Sequence, residues 1–186
     1  MFRRRPIRRT LRSLRGASRR GASQALITAN QMFESRNYQE AAERFEAIAQ
    51  TTETRGELRA PQFYLQAGRA RILAGQIEDG LAHLKHGLSL FVKRGEWLHL
   101  RRASRRVVNE LNERGLTDAA EEVTTWLNGA MPVNVQNIPE KTPARKPVLP
   151  THCPSCGAAL RPDEVDWLDD ITAECAYCGS PVREDN

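Results

Sequence analysis

Gln76-Ile77-Glu78-Asp79-Gly80-Leu81-Ala82-His83-Leu84 opens the stretch that decides the fold. From there to Phe91, apolar side chains fall at Ile77, Leu81, Leu84, Leu88 and Phe91, in steps of 4, 3, 4 and 3. At about 3.6 residues per turn, this spacing puts all five on one stripe of a single helix, and such a stripe faces a core. The start of the stretch has two counterparts in the chain. Asn37-Tyr38-Gln39-Glu40-Ala41-Ala42 and Gly115-Leu116-Thr117-Asp118-Ala119-Ala120 share its order of turn, apolar residue, two polar residues and small residue. The small residues at 41, 80 and 119 are 39 apart both times. Four positions on stand Phe45, Leu84 and Val123, and three further on stand Ile48, Gly87 and Trp126. A fixed period of this length points to repeated helical hairpins, in which no unit buries its apolar face alone.

Working outward, a second helical stretch precedes each of these turns. Asn37 with Glu40, and Thr54 with Glu57, have the spacing of helix N-terminus signals. The pattern predicts six helices, near residues 20–35, 37–51, 56–74, 77–93, 95–114 and 117–129, in a self-sufficient helical domain over 21–130. The composition agrees, since 40% apolar and only 6% aromatic residues suffice for a helical core but are thin for a large β-sandwich.

The repeat resembles tetratricopeptide-type hairpins over about 110 residues. Matching positions are Ala29, Tyr38, Ala41 and Phe45 in the first unit, and Tyr64, Gly68, Gly75, Gly80 and Leu84 in the second. The period of 39 exceeds the family's roughly 34, and the excess is assigned to the connections at 51–56 and 93–96. Val107 stands where the third unit's first helix would carry a small residue. The resemblance implies stacked hairpins with a concave groove for a peptide or a partner helix, and no catalysis. An irregular six-helix bundle is the alternative.

Downstream, Cys153-Pro154-Ser155-Cys156-Gly157 and Cys175-Ala176-Tyr177-Cys178-Gly179 repeat one pattern, with 18 residues between the pairs. Two thiolates spaced by two residues can hold one metal ion from a tight turn. The glycine that follows permits a positive φ, which turns backbone amides toward the sulfurs. Two such turns complete an S4 shell, the donor set of structural Zn2+. One structural Zn2+ is therefore expected on Cys153, Cys156, Cys175 and Cys178, with no open coordination position. The segment resembles a zinc ribbon, which gives a small C-terminal β module over 151–186. Val165, Trp167 and Ile171 interleave with Asp166, Asp169 and Asp170, so a hairpin turning at Asp169-Asp170 is expected. A unit of about 35 residues has too small a core to fold without a staple, and the metal would supply it. A rubredoxin-like iron centre and a pair of redox dithiols remain alternatives. His152 reads as a bystander to a complete cysteine set.

Charge divides the chain. Residues 1–20 carry nine arginines and no acid, and residues 21–130 carry 14 basic and 14 acidic residues. Residues 131–150 carry three basic residues and one acid among five prolines, and residues 151–186 carry two basic residues and eight acids. The organisation read from this is a basic arm (1–20), a helical body (21–130), a proline-rich linker (131–150) and an acidic ribbon (151–186). In the arm, Ile7, Leu11 and Leu14 have helical spacing. Arg3, Arg4, Arg5, Arg8 and Arg9 of the arm, with Arg101, Arg102, Arg105 and Arg106 of the fifth helix, are candidate contacts for an anionic partner. A protein surface is ranked first, nucleic acid second and a membrane surface third. A disordered tail is the bland alternative for the arm, and a solvated face for the fifth helix.

No phosphate loop, zinc-protease, nucleophile-elbow or dinucleotide motif occurs, so neither an enzyme nor a small-molecule substrate is expected. No run of 18 apolar residues suggests a membrane span. An arginine-rich start without an apolar segment, together with four cysteines, points to a reducing compartment, the cytoplasm. The leading functional expectation is a protein-interaction scaffold or adaptor. The alternatives are a nucleic-acid- or ribosome-associated factor working through its arginines, and an electron-transfer protein using the four cysteines. His83 and His86, three apart on the fourth helix, are read as surface or groove residues.

Overall fold

The computed structural model describes residues 24–132, 147–162 and 165–184. The arm with Ile7, Leu11 and Leu14, and most of the proline-rich linker, lie outside the described residues. Within them the chain forms six α-helices and a small antiparallel sheet. The helices are α1 (residues 24–34), α2 (Tyr38–Thr54), α3 (Ala60–Leu73), α4 (Ile77–Arg94), α5 (Trp97–Glu113) and α6 (Thr117–Ala130). From α2 onward consecutive helices pack as neighbours, and α4 also touches α6. Phe33 of α1 packs edge-on against Tyr38 and Phe45 of α2.

Ala41, Gly80 and Ala119 are all buried, near the starts of α2, α4 and α6, and so are Phe45, Leu84 and Val123 one turn later. The closest approach lies between α3 and α4. A Cβ on Gly68 would stand 2.7 Å from the Gly80 carbonyl oxygen and 2.9 Å from the Leu84 amide nitrogen. A Cβ on Gly80 would stand 2.8 Å from the Gly68 oxygen. Only a pair of glycines lets these backbones meet. Buried residues make up 9 of the 14 in α3, which is covered on several sides and so lacks a clean polar face.

Three expectations need correction. Thr54 does not start a helix: it ends α2, and its hydroxyl bonds back to the Gln50 carbonyl. The next helix begins at Ala60, with Pro61 in its first turn, after Gly56 has reversed the chain at φ +67°. The long period is absorbed by helices rather than connections, since α2 and α4 run for 17 and 18 residues. Ile77 is 38% exposed, so the core stripe of α4 consists of Leu84, Leu88 and Phe91, with Leu81 half-buried.

The C-terminal sheet has three strands, β1 (Asp166–Trp167), β2 (Thr172–Glu174) and β3 (Pro181–Arg183), in the order β1-β2-β3. Asp166 pairs with Glu174 and Trp167 with Ala173, then Ala173 with Val182. Asp169 shapes the hairpin turn by accepting from the N–H groups of Ile171 (2.9 Å) and Thr172 (2.7 Å). Buried side chains form two clusters. One joins α1, α2 and α3, with Leu90 of α4, to the cysteines and the ribbon, and the other lies among α4, α5 and α6, with Leu65 of α3. Among the described residues, no helix is long and apolar enough to cross a membrane.

Candidate metal centre

The two CxxCG segments adopt the same loop. In the first, Gly157 N–H donates to the Cys153 carbonyl (2.8 Å) and Cys153 N–H to the Ala158 carbonyl (2.8 Å). In the second, Gly179 N–H donates to Cys175 (2.8 Å) and Cys175 N–H to Ser180 (2.9 Å). Gly157 and Gly179 make this possible with φ of +74° and +67°. The loops aim four buried, free thiols at one point. Sγ separations are 3.8 Å for Cys153 to Cys178 and 3.9 Å for Cys156 to Cys175, and all four sulfurs lie within 4.8 Å of one another. A tetrahedral ion with metal–sulfur bonds of about 2.3 Å requires edges of about 3.8 Å. Both the donor set and its spacing fit a single metal ion.

Four thiols in so small a volume do not ionise independently. Hydrogen bonds from Cys156, Cys175 and Cys178 hold the Cys153 thiol well below its usual range, and the Ser155 backbone adds to them. Contacts with Cys153, Cys175 and Cys178, and then burial, push Cys156 up, and Cys153 contributes most to raising Cys175 as well. Cys178 comes to about 7, because Cys153 raises it while Cys156 and Cys175 more than offset that, helped by the Ser180 hydroxyl. Cys153 thus ionises readily and Cys178 near neutrality, while Cys156 and Cys175 hold their protons until a cation offsets the charge. His152 is exposed, its Nδ1 lying 3.1 Å from the Thr151 hydroxyl.

The centre rests on α1, α3 and α5, each presenting one face. Asn30, buried on α1, donates from Nδ2 to the Cys156 carbonyl at 2.8 Å. Ile27, one turn earlier, packs 3.6 Å from where a Gly157 Cβ would stand. Arg69 follows Asn30 by 39 residues and holds the second loop from α3. Its Nη1 reaches the Tyr177 hydroxyl (3.3 Å), its Nε donates to Glu110 Oε1 (2.6 Å), and its guanidinium lies 5.2 Å from the Phe33 ring and 5.6 Å from the Tyr177 ring. Asn30 and Arg69, 39 residues apart, thus each contact one of the two cysteine loops.

On α5, His99, Arg102 and Arg106 are three and four residues apart and share a stripe. Arg106 Nη1 bonds Asp166 Oδ2 at 2.8 Å, Arg102 Nε lies 3.7 Å from Asp166 Oδ1, and His99 Nε2 is 3.2 Å from Glu174 Oε2. Asp166 and Glu174 face each other across β1 and β2, a repulsive pairing in isolation. The α5 stripe supplies the opposing charge. The hydrogen bond to Glu174 raises the His99 pKa against the opposing effect of burial. A cavity of about 300 Å³ remains at this seam, lined by Arg69, Arg106, Glu110, Asp166 and Tyr177 among others.

Of the candidate anion contacts, Arg3, Arg4, Arg5, Arg8 and Arg9 lie outside the described residues. Arg102 is buried and Arg106 half-buried on Asp166, Arg101 is half-buried and Arg105 exposed. His83 and His86 sit between helices, bonded to Glu46 (2.9 Å) and Glu53 (3.1 Å) of α2. Sequence reasoning set Asp166 in an alternating hairpin without assigning it a partner, and passed over Asn30, Arg69 and His99. The 39-residue period that relates Asn30 to Arg69 was an available signal. No protein-family model matches the chain, and neither a curated protein nor a solved structure matches it.

Proposed function

We propose that this chain is a non-enzymatic protein-interaction scaffold or adaptor, built from three tetratricopeptide-like hairpins and stapled by one structural Zn2+. The hairpins are α1/α2, α3/α4 and α5/α6. The observation that carries the reading is the equivalence of Asn30 and Arg69. At the same place in successive repeats, each recognises a different loop of the same protein module. A repeated helical face that holds polypeptide through polar and apolar contacts is a protein-recognition surface. Four thiolates complete a tetrahedral shell and leave no open position, which suits a structural role and Zn2+ over other ions. Free thiols are in keeping with a reducing compartment, the cytoplasm.

The other reading, a nucleic-acid- or ribosome-associated factor, rests mainly on the nine arginines of residues 1–20, because Arg102 and Arg106 are engaged with Asp166. One experiment separates the two: RNA binding by the full chain, titrated against salt. The scaffold reading expects weak binding at physiological salt, and protein partners that stay bound after ribonuclease treatment. Tight RNA binding with a steep log–log salt slope, from many phosphate contacts, would favour the other reading. Elemental analysis should find about one zinc per chain in a colourless protein. A red protein would mean iron.

A further inference from the structure

We propose that the face formed by α1, α3 and α5 is a docking surface for an acidic, tyrosine-bearing protein segment, and that the chain's own metal-loaded ribbon is its resident occupant. This rests on the scaffold reading and names both the partner chemistry and its control. The occupant shows what the face recognises. It offers two carboxylates, Asp166 and Glu174, to the stripe of His99, Arg102 and Arg106. It also offers the Tyr177 ring and hydroxyl to Arg69. These contacts run from α3 to α5, alternate helices that Arg69 and Glu110 bridge, as a bound segment would.

The seam is also less complete than the cores on either side. It keeps the 300 Å³ cavity beside Arg69 and Arg106. Elsewhere along the seam, among His99, Asp166 and Glu174, the Gln62 side-chain oxygen is buried with no hydrogen-bond partner. An occupant better matched to the face could displace the ribbon. The ribbon itself depends on metal, because its sheet strands are two or three residues long and its four cysteines are buried around a single point. In a module of this size the metal supplies the folding energy. Loss of the ion, with protons taken up by the thiolates, dismantles the shape that fits the face. The cationic stripe of α5 is then free for an acidic segment from another protein. Metal occupancy decides which of the two is bound.

The test uses the full-length protein in reducing buffer: zinc-loaded, stripped by chelation, and reloaded. The probe is a fluorescein-labelled random copolymer of glutamate and tyrosine, followed by anisotropy, with polyglutamate as the tyrosine-free control. Stripping should tighten copolymer binding by about tenfold or more, reloading should reverse this, and polyglutamate should gain less. Arg102→Gln together with Arg106→Gln should remove most of the gain. Asp166→Arg, which sets like charges against Arg102 and Arg106, should bind the copolymer more tightly even when loaded with zinc.

Three results would overturn the proposal. The first is equal binding before and after stripping. The second is a gain that survives the double arginine substitution, which would put the site in the N-terminal arm. The third is loss of the helical circular dichroism signal on stripping, which would make the ribbon an inseparable layer of the helical fold. If loaded and stripped protein retain the same ribonuclease-resistant partners, the gate fails and the scaffold reading stands. If every partner is lost to ribonuclease, the scaffold reading fails whatever the copolymer does.

Discussion

The two hydrophobic clusters are made of different materials. The one shared by α1, α2, α3 and the ribbon draws mainly alanines from its helices, including Ala29, Ala41, Ala42, Ala49, Ala67 and Ala70, with Phe45 and Phe63 as larger members. The one among α4, α5 and α6 is largely leucine: Leu84, Leu88, Leu100, Leu111 and Leu127. Alanine lets helices approach closely but buries little area, and stabilisation scales with apolar area at about 25 cal/mol per Å². The first cluster is completed by Leu149, Leu160, Val165, Val182 and the four cysteines, the residues that would hold a metal ion. The second closes with helices alone. Two halves of one small protein thus close their cores with different materials, and only one of them includes the cysteines.

Metal removal is the largest way to break that comparison. Structural zinc contributes about 10–16 kcal/mol in small zinc-dependent peptides, comparable with the entire stability of an ordinary domain. Chelation, or Cys175→Ser, should therefore release residues 151–183 while most of the helical signal persists. Hydrogen exchange should show α1 losing protection, because Leu26, Ala29 and Asn30 are buried in the cluster or contact that the ribbon completes. The amides of α6 should change little. Equal loss of protection in α1 and α6 would mean that the two clusters form one cooperative unit.

The second cluster has its own test. Leu84 is 4% exposed and lies beneath Gly68, where α3 and α4 touch. Leu84→Ala should cost about 2–5 kcal/mol in denaturant unfolding, with or without metal. A loss that halves on chelation would tie this site to the ribbon. Gly68→Ala is expected to follow at about 1–3 kcal/mol, since its new methyl meets backbone atoms of α4, which yield less readily than a side chain. A neutral Gly68→Ala would show that the α3–α4 crossing adjusts freely.

What the sequence disclosed follows the same division. Periodicity is a local signal, so the helix count was legible along the chain and the Leu84, Leu88 and Phe91 part of the α4 stripe from its own segment, whereas Ile77 proved exposed. The cysteine spacing was equally plain, because two such pairs can supply the four donors of one ion. Docking was not legible. Asp166 alternates with Val165 and Trp167 and so reads as outward-facing, yet it is 9% exposed because Arg102 and Arg106 come to it from 60 or more residues away. A charge whose partner lies far along the chain carries no local mark of burial. The helix-five arginines read as contacts for an anionic partner or as a solvated face, and two of them meet an acid of the ribbon instead.

The smallest expected effect concerns His99, which ties the leucine half to the ribbon. Its imidazole lies 3.2 Å from Glu174 on β2 and 4.0 Å from Glu96 on its own helix, stacks on Phe91, and feels an opposing charge from Arg102. The hydrogen bond to Glu174 leads these effects and raises its folded pKa above the ordinary value of about 6.5. The sign follows from linkage. The contact contributes fully below pH about 6.5, where the unfolded histidine is also protonated, and its contribution fades as pH rises through the higher folded pKa. With the side chain 39% exposed, solvent screening keeps this below about 1 kcal/mol. Metal binding runs the opposite way, because thiols must lose protons to coordinate, so it strengthens as pH rises. The two trends separate when wild type and His99→Gln are compared under saturating zinc. Ribbon protection, read by hydrogen exchange corrected for intrinsic rates, should be greater in wild type near pH 6, and the gap should narrow toward pH 9. A gap that stays constant, or grows with pH, would mean that His99 holds Glu174 as a neutral ring, and that the α5 seam depends on its two arginines for charge.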